Sequence, residues 1–159
     1  MYQSETYSVI DGTFKDIGTA TDYTAWRNSD FTGDNLQRNS EYTTLIPQDT
    51  FDECDIAVSN DFCIEFDVNI TFTTNNAIFR FTQNRWIVNG SLSTTQLGLS
   101  SNVWSHVKLS KTSNTVAVIV DGETKTPLTL SDTIDTFMIA LNYEGISNLK
   151  YKNFVVYPI

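Results

Sequence analysis

The chain has 159 residues, and 10 basic against 19 acidic side chains leave a net charge of −9. With 10 Phe, 7 Tyr and 3 Trp it can fill a core, which excludes a disordered chain. Phosphate neutralisation needs clustered Lys and Arg, and no cluster occurs, so nucleic acid and anionic membrane surfaces are not expected as partners. No apolar run approaches the ~18 residues that span a bilayer.

The first residues, 1–9, are polar and read as a short flexible N-terminal arm, with one domain over 10–159. The start shows neither a basic segment nor an apolar one, so no signal peptide is expected. The next third is broken by Asp, Gly and Asn turns, with Phe14, Trp26, Leu36 and Tyr42–Ile46 as short strands or anchors. From Phe62 to Phe72 apolar and polar residues alternate strictly, the pattern of a half-buried β-strand. Ala77–Thr82 follows as a second strand. Arg85–Val88 forms a third, closed by a turn at Asn89-Gly90. Val103–Leu109 and the β-branched Thr115–Val120 come next, the latter stopping at Asp121-Gly122. Further strands are expected at Thr126–Leu130, Phe137–Asn142 and Phe154–Tyr157. No sustained helical stripe exists, and the best helical candidate is one turn at Ser131–Thr136. Thr, Ser and Asn make up 50 of 159 residues, and turn signals recur every ~8–12 residues, as in an all-β sandwich.

Three segments carry a family resemblance. Trp104-Ser105-His106-Val107-Lys108-Leu109 with Val116–Gly122 resembles the W-x-H-V-x-L … V-x-V-x-V-D-G hairpin of concanavalin A-like (laminin-G/jelly-roll) domains. Phe62–Val68 resembles the F-x-I-E-F-D-V strand of those domains, and Ile146–Tyr157 their closing strand. The resemblance implies an antiparallel jelly-roll β-sandwich, with Trp104 in the core. Small chains of this look, including segments like Asp11–Asp16 and Gln37–Thr43, occur as accessory parts of tailed-phage and archaeal virus particles.

The chemistry-bearing residues are few. Glu65 and Asp67 project from one face of a strand. Laminarinase-type hydrolases of this fold carry E-x-D-x-x-E there, and the third position here is the apolar Ile70, so the acid/base is missing. The two carboxylates are then solvated strand residues, and no catalysis is expected. His106, the one histidine, reads as an ordinary strand residue. Cys54 and Cys63 are too few for a zinc site, and the sequence leaves them free or bonded to one another. Asp11 and Asp16, with other loop aspartates, leave room for a structural calcium ion, and no other cofactor is implied.

Sugar binding is decided by exposed rings flanked by amides and charges. Trp86, Arg80, Asn84 and Tyr143 are the candidates for a shared glycan-binding face, with burial in the core as the other reading of Trp86. Trp26 is a further candidate platform, with capping of the sandwich as its other reading. The expected function is a non-enzymatic accessory structural protein of a virus particle: a capsid decoration, fibre or tail component. It would be assembled in the host cytoplasm, bound to other virion proteins or to copies of itself, and able to adhere to glycans. The alternative is a free-standing, secreted lectin or carbohydrate-binding module. A divergent hydrolase or lyase is the third reading.

Overall fold

The structure is a computed structural model that describes residues 7–8, 15–16, 23–28, 36–38, 42–45, 50–56, 61–83, 87–131, 134, 136–141 and 146–158. Its strands in chain order are β1 (Tyr7–Ser8), β2 (Lys15–Asp16), β3 (Tyr23–Asn28), β4 (Leu36–Arg38), β5 (Thr43–Leu45), β6 (Thr50–Ile56), β7 (Phe62–Phe72), β8 (Ala77–Gln83) and β9 (Ile87–Ser93). One helical turn, α1 (Thr94–Leu97), precedes β10 (Trp104–Thr112), β11 (Thr115–Val120), β12 (Glu123–Thr124), β13 (Leu128–Thr129), β14 (Thr136–Leu141) and β15 (Ile146–Pro158).

All the pairings among the described residues are antiparallel. An eight-stranded sheet runs β12-β11-β10-β7-β15-β5-β4, with β13 also on β11, and a five-stranded sheet runs β3-β6-β14-β8-β9. β1 pairs with β2, so residues 7–8 of the expected arm are in a strand, and the rest of 1–9 lies outside the described residues. The alternation in β7 buries Phe62, Ile64, Phe66, Val68 and Ile70 against the second sheet. Val107 and Leu109 of β10 and Val116, Val118 and Val120 of β11 continue that inner face. The facing sheet contributes Ile78, Phe79, Phe81, Phe137 and Ile139. Phe66 bridges the layers, its ring edge-on to Phe79 at 4.9 Å and stacked on Phe154 at 5.8 Å. This is the face-to-face packing of an antiparallel β-sandwich.

Three elements differ from the sequence reading. Asn89-Gly90 does not close a strand: β9 runs through it, Gly90 pairs with Phe81, and the register shifts between Phe81 and Thr82. A Cβ on Gly90 would stand 2.9 Å from a methyl of Leu130, so the glycine serves close packing, not a turn. The one described helical turn lies at Thr94–Leu97, not at Ser131–Thr136, part of which lies outside the described residues. Ser93 and Gln96 form a reciprocal capping box, and Gly98 closes the turn in the left-handed conformation. Ser93→Ala should therefore cost about 1 kcal/mol in urea unfolding, the usual value of such a cap. The third difference is β15, which extends over 13 residues, as the resemblance over Ile146–Tyr157 implies, where strand patterning alone marked only Phe154–Tyr157. A bulge between Lys152 and Val155 interrupts its pairing with β7 and hides the continuity from a period-two reading.

Cys63 is buried as a free thiol, with the Ser110 hydroxyl 3.5 Å from its Sγ. No helix among the described residues is long and apolar enough to cross a membrane.

Candidate functional site

The outer face of the eight-stranded sheet gathers the polar and aromatic side chains that strand alternation turns away from the core. Pairing aligns them in rows across the strands. Trp104 of β10 stands opposite Asn69 of β7, which stands opposite Lys150 of β15. The next row is His106, Asp67 and Lys152, and in the one after that Lys108 stands opposite Glu65. Successive rows lie two residues, about 7 Å, apart along each strand.

His106 is fixed by two carboxylates. Its Nδ1 lies 2.8 Å from Asp67 Oδ1 and its Nε2 lies 2.8 Å from Glu65 Oε1. A neutral imidazole has one N–H, which would leave a bare ring nitrogen facing an anionic oxygen, so this geometry selects the imidazolium. Partial burial acts to lower the His106 pKa. The hydrogen bonds from Glu65 and Asp67, together with their charges, outweigh it, and the net direction is upward from the ordinary value. The backbone N–H of His106 donates to Asp121 Oδ1 at 2.8 Å. Asp121 and Gly122 both have positive φ, 51° and 80°, as a tight hairpin between β11 and β12 requires.

Asp67 has a second partner, delivered by the bulge. Between Lys152 and Val155 the strand β15 holds one residue more than β7. Asn153 takes a φ of 54°, and its Nδ2 donates to Asp67 Oδ2 at 2.7 Å, while Phe154 drops into the core. The bulge thus presents an exposed amide next to a carboxylate while keeping the core sealed.

An aromatic pair borders this polar cluster. Trp104 is 37% exposed, and its ring lies 6.2 Å from that of Tyr42. Lys152 Nζ sits 4.3 Å above the Trp104 ring and Lys150 Nζ 5.1 Å above Tyr42. Exposed cation–π contacts of this kind contribute roughly 0.5–1 kcal/mol each. In the Trp104 row, Asn69 is 6% exposed and its side-chain oxygen has no hydrogen-bond partner among the described residues. A buried acceptor left unpaired costs about 1–3 kcal/mol, and stability gives no reason to keep it.

Most of the expected site lies outside the described residues. Arg80 lies half-buried on β8, in the five-stranded sheet. Asn84, Trp86, Tyr143 and Asp11 lie outside the described residues, while Trp26 and Asp16 belong to β3 and β2 with side chains outside the described part. Trp104 is not in the core, a correction with a simple cause. Ser105, Val107 and Leu109 are the inward positions of β10, so Trp104 and His106 must face out. Glu65 and Asp67 are not simply solvated either, since His106 takes one oxygen of each. Ile70, at the third position of the hydrolase pattern, is buried. No group of three or more His, Cys, Asp or Glu side chains suited to a metal ion occurs among the described residues.

No family model and no curated protein matches the sequence. Solved structures do match in fold. Domain 4 of AbnA, a GH43 extracellular arabinanase from Geobacillus stearothermophilus solved in complex with arabinotriose, is 16% identical. It superposes with a TM-score of 0.60 over 97% of this chain and 91% of that one. The binding domain of botulinum neurotoxin DC, in complex with SialylT, is 9% identical, with a TM-score of 0.55, covering 96% of this chain and 47% of that one. A sialidase matches at 14% identity with a TM-score of 0.64 over 82% of this chain, which spans 16% of the sialidase's length. At these identities the similarity establishes the β-sandwich fold.

Proposed function

We propose that this chain is a non-enzymatic glycan-binding β-sandwich whose ligand lies on the outer face of the eight-stranded sheet, across Trp104, Tyr42, His106 and Asn153. The observation that carries the reading is Trp104, a large ring at the surface with the Lys152 ammonium over it, bordering fixed amide and carboxylate groups. Apolar sugar faces stack on such rings while amides and carboxylates bond the hydroxyls. The similar structures support it, since one is a domain complexed with arabinotriose and another a binding domain complexed with SialylT. The non-enzymatic part rests on the Glu65 and Asp67 oxygens held by His106 and Asn153, and on Ile70 at the acid/base position.

The finer part of the proposal is the setting. An accessory protein of a virus particle, made in the host cytoplasm and bound to other virion proteins, is supported by the sequence resemblance. Copurification with particles tests it, whereas a free-standing lectin would bind sugar with no particle present. The binding reading is tested on a glycan array. Trp104→Ala should weaken the best ligand about fivefold, roughly 1 kcal/mol. A blank array from folded protein, or binding indifferent to that substitution, overturns the proposal for this face.

A further inference from the structure

The lysines of this face specify the ligand further, on the premise that the glycan-binding reading holds. The chain has six lysines, and Lys108, Lys150 and Lys152 share this one face. Neither Lys150 nor Lys152 has an ion-pair partner among the described residues. Lys152 stands opposite Asp67 in register, but the Asp67 oxygens bond His106 and Asn153. Each ammonium instead covers a ring, Lys152 that of Trp104 and Lys150 that of Tyr42.

A ring covered by a cation is not an open platform. A neutral sugar that stacks on Trp104 must displace the Lys152 ammonium and gives it no partner of equal strength in return. A sugar bearing a carboxylate offers that ammonium a charge-assisted hydrogen bond, the stronger contact, at the moment the ring passes to the sugar's C–H face. Lys150 and Lys152 are two residues, about 7 Å, apart along β15, so charges on neighbouring sugar units can meet both. The chain's overall charge of −9 does not forbid this. Exposed charges beyond ~8 Å are largely screened at physiological ionic strength, and Glu65 and Asp67 already face a cation in His106. From this geometry we infer that the ligand is an acidic glycan, its carboxylates held by Lys150 and Lys152 and its rings by Trp104 and Tyr42.

Calorimetric titration of the folded chain with oligogalacturonate, sialyllactose and neutral arabino-oligosaccharides at low and high salt tests this. At least one acidic probe should bind more tightly than the neutral one. That binding should weaken at least tenfold in the Lys150→Gln/Lys152→Gln double variant and fall with salt, while neutral sugars bind the double variant no worse than the parent. Neutral sugars binding as well as acidic ones would overturn the inference and leave the glycan reading standing. Acidic binding unchanged in the double variant would overturn it too. Binding of no probe at all, with both proteins folded, would remove the inference together with the reading beneath it.

Discussion

Phe66→Ala is expected to lower the unfolding free energy by about 3–5 kcal/mol, the range for deleting a large buried aromatic. The ring is fully buried at the centre of β7. It touches Phe154 on its own sheet and Phe79 and Phe137 on the facing one, at centroid distances of 5.8, 4.9 and 6.1 Å. Phe79 and Phe137 are paired with one another's strands and Phe154 is fully buried beneath the bulge, so none of the three can readily collapse into the space left behind and the cavity term should be close to complete. Urea unfolding followed by tryptophan fluorescence measures it. A loss under about 1 kcal/mol would mean that the sheets are not held together through this cluster. Phe66→Leu, which refills most of the volume, should recover more than half of the loss, and this separates a packing effect from misfolding.

His106→Ala should cost about 2 kcal/mol below pH 6. Two charge-assisted hydrogen bonds are nominally stronger than that, about 1.5–3 kcal/mol each, but the side chain is 46% exposed and solvent screens much of it. The groups around it are Glu65 and Asp67 on β7, Asp121 through its backbone contact, Lys152 on β15 and Lys108 on its own strand. The carboxylates prevail and raise the histidine pKa above its ordinary ~6.5. A group with a raised folded pKa stabilises fully below its unfolded value and loses that contribution as pH rises through the folded one. The parent should therefore lose stability as pH rises from about 6.5, while the variant should be flat there. A parent curve that is level above about pH 6.5 and rises toward it from below would show that the ring is held neutral.

Much of the sandwich was legible because burial enforces period two. The strict alternation from Phe62 to Phe72 and the β-branched run Thr115–Val120 define β7 and β11 to the residue. The same rule, applied to β10, places Trp104 outside, and only the family resemblance pointed inward. The joining of Glu65, Asp67 and His106 was not legible. It depends on the register between β7 and β10, which chain order does not state. Asn153 was hidden more deeply, since its reach to Asp67 requires a bulge and a positive φ that no neighbouring residue signals.

β7 lies between β10 and β15 in the sheet. Its partner Leu149 is 79 positions beyond Ile70 in the chain. At roughly 5–20 residues per second on a ribosome, one edge of β7 waits about 4–16 s for that partner. During that wait a long, apolar-faced strand offers open hydrogen-bonding groups, the feature that recruits foreign strands. The polar residues along its other face, Glu65, Asp67 and Asn69, then protect a half-made sheet from its neighbours before they hold anything for the finished one. The demands of the nascent chain and of the mature surface converge on the same side chains.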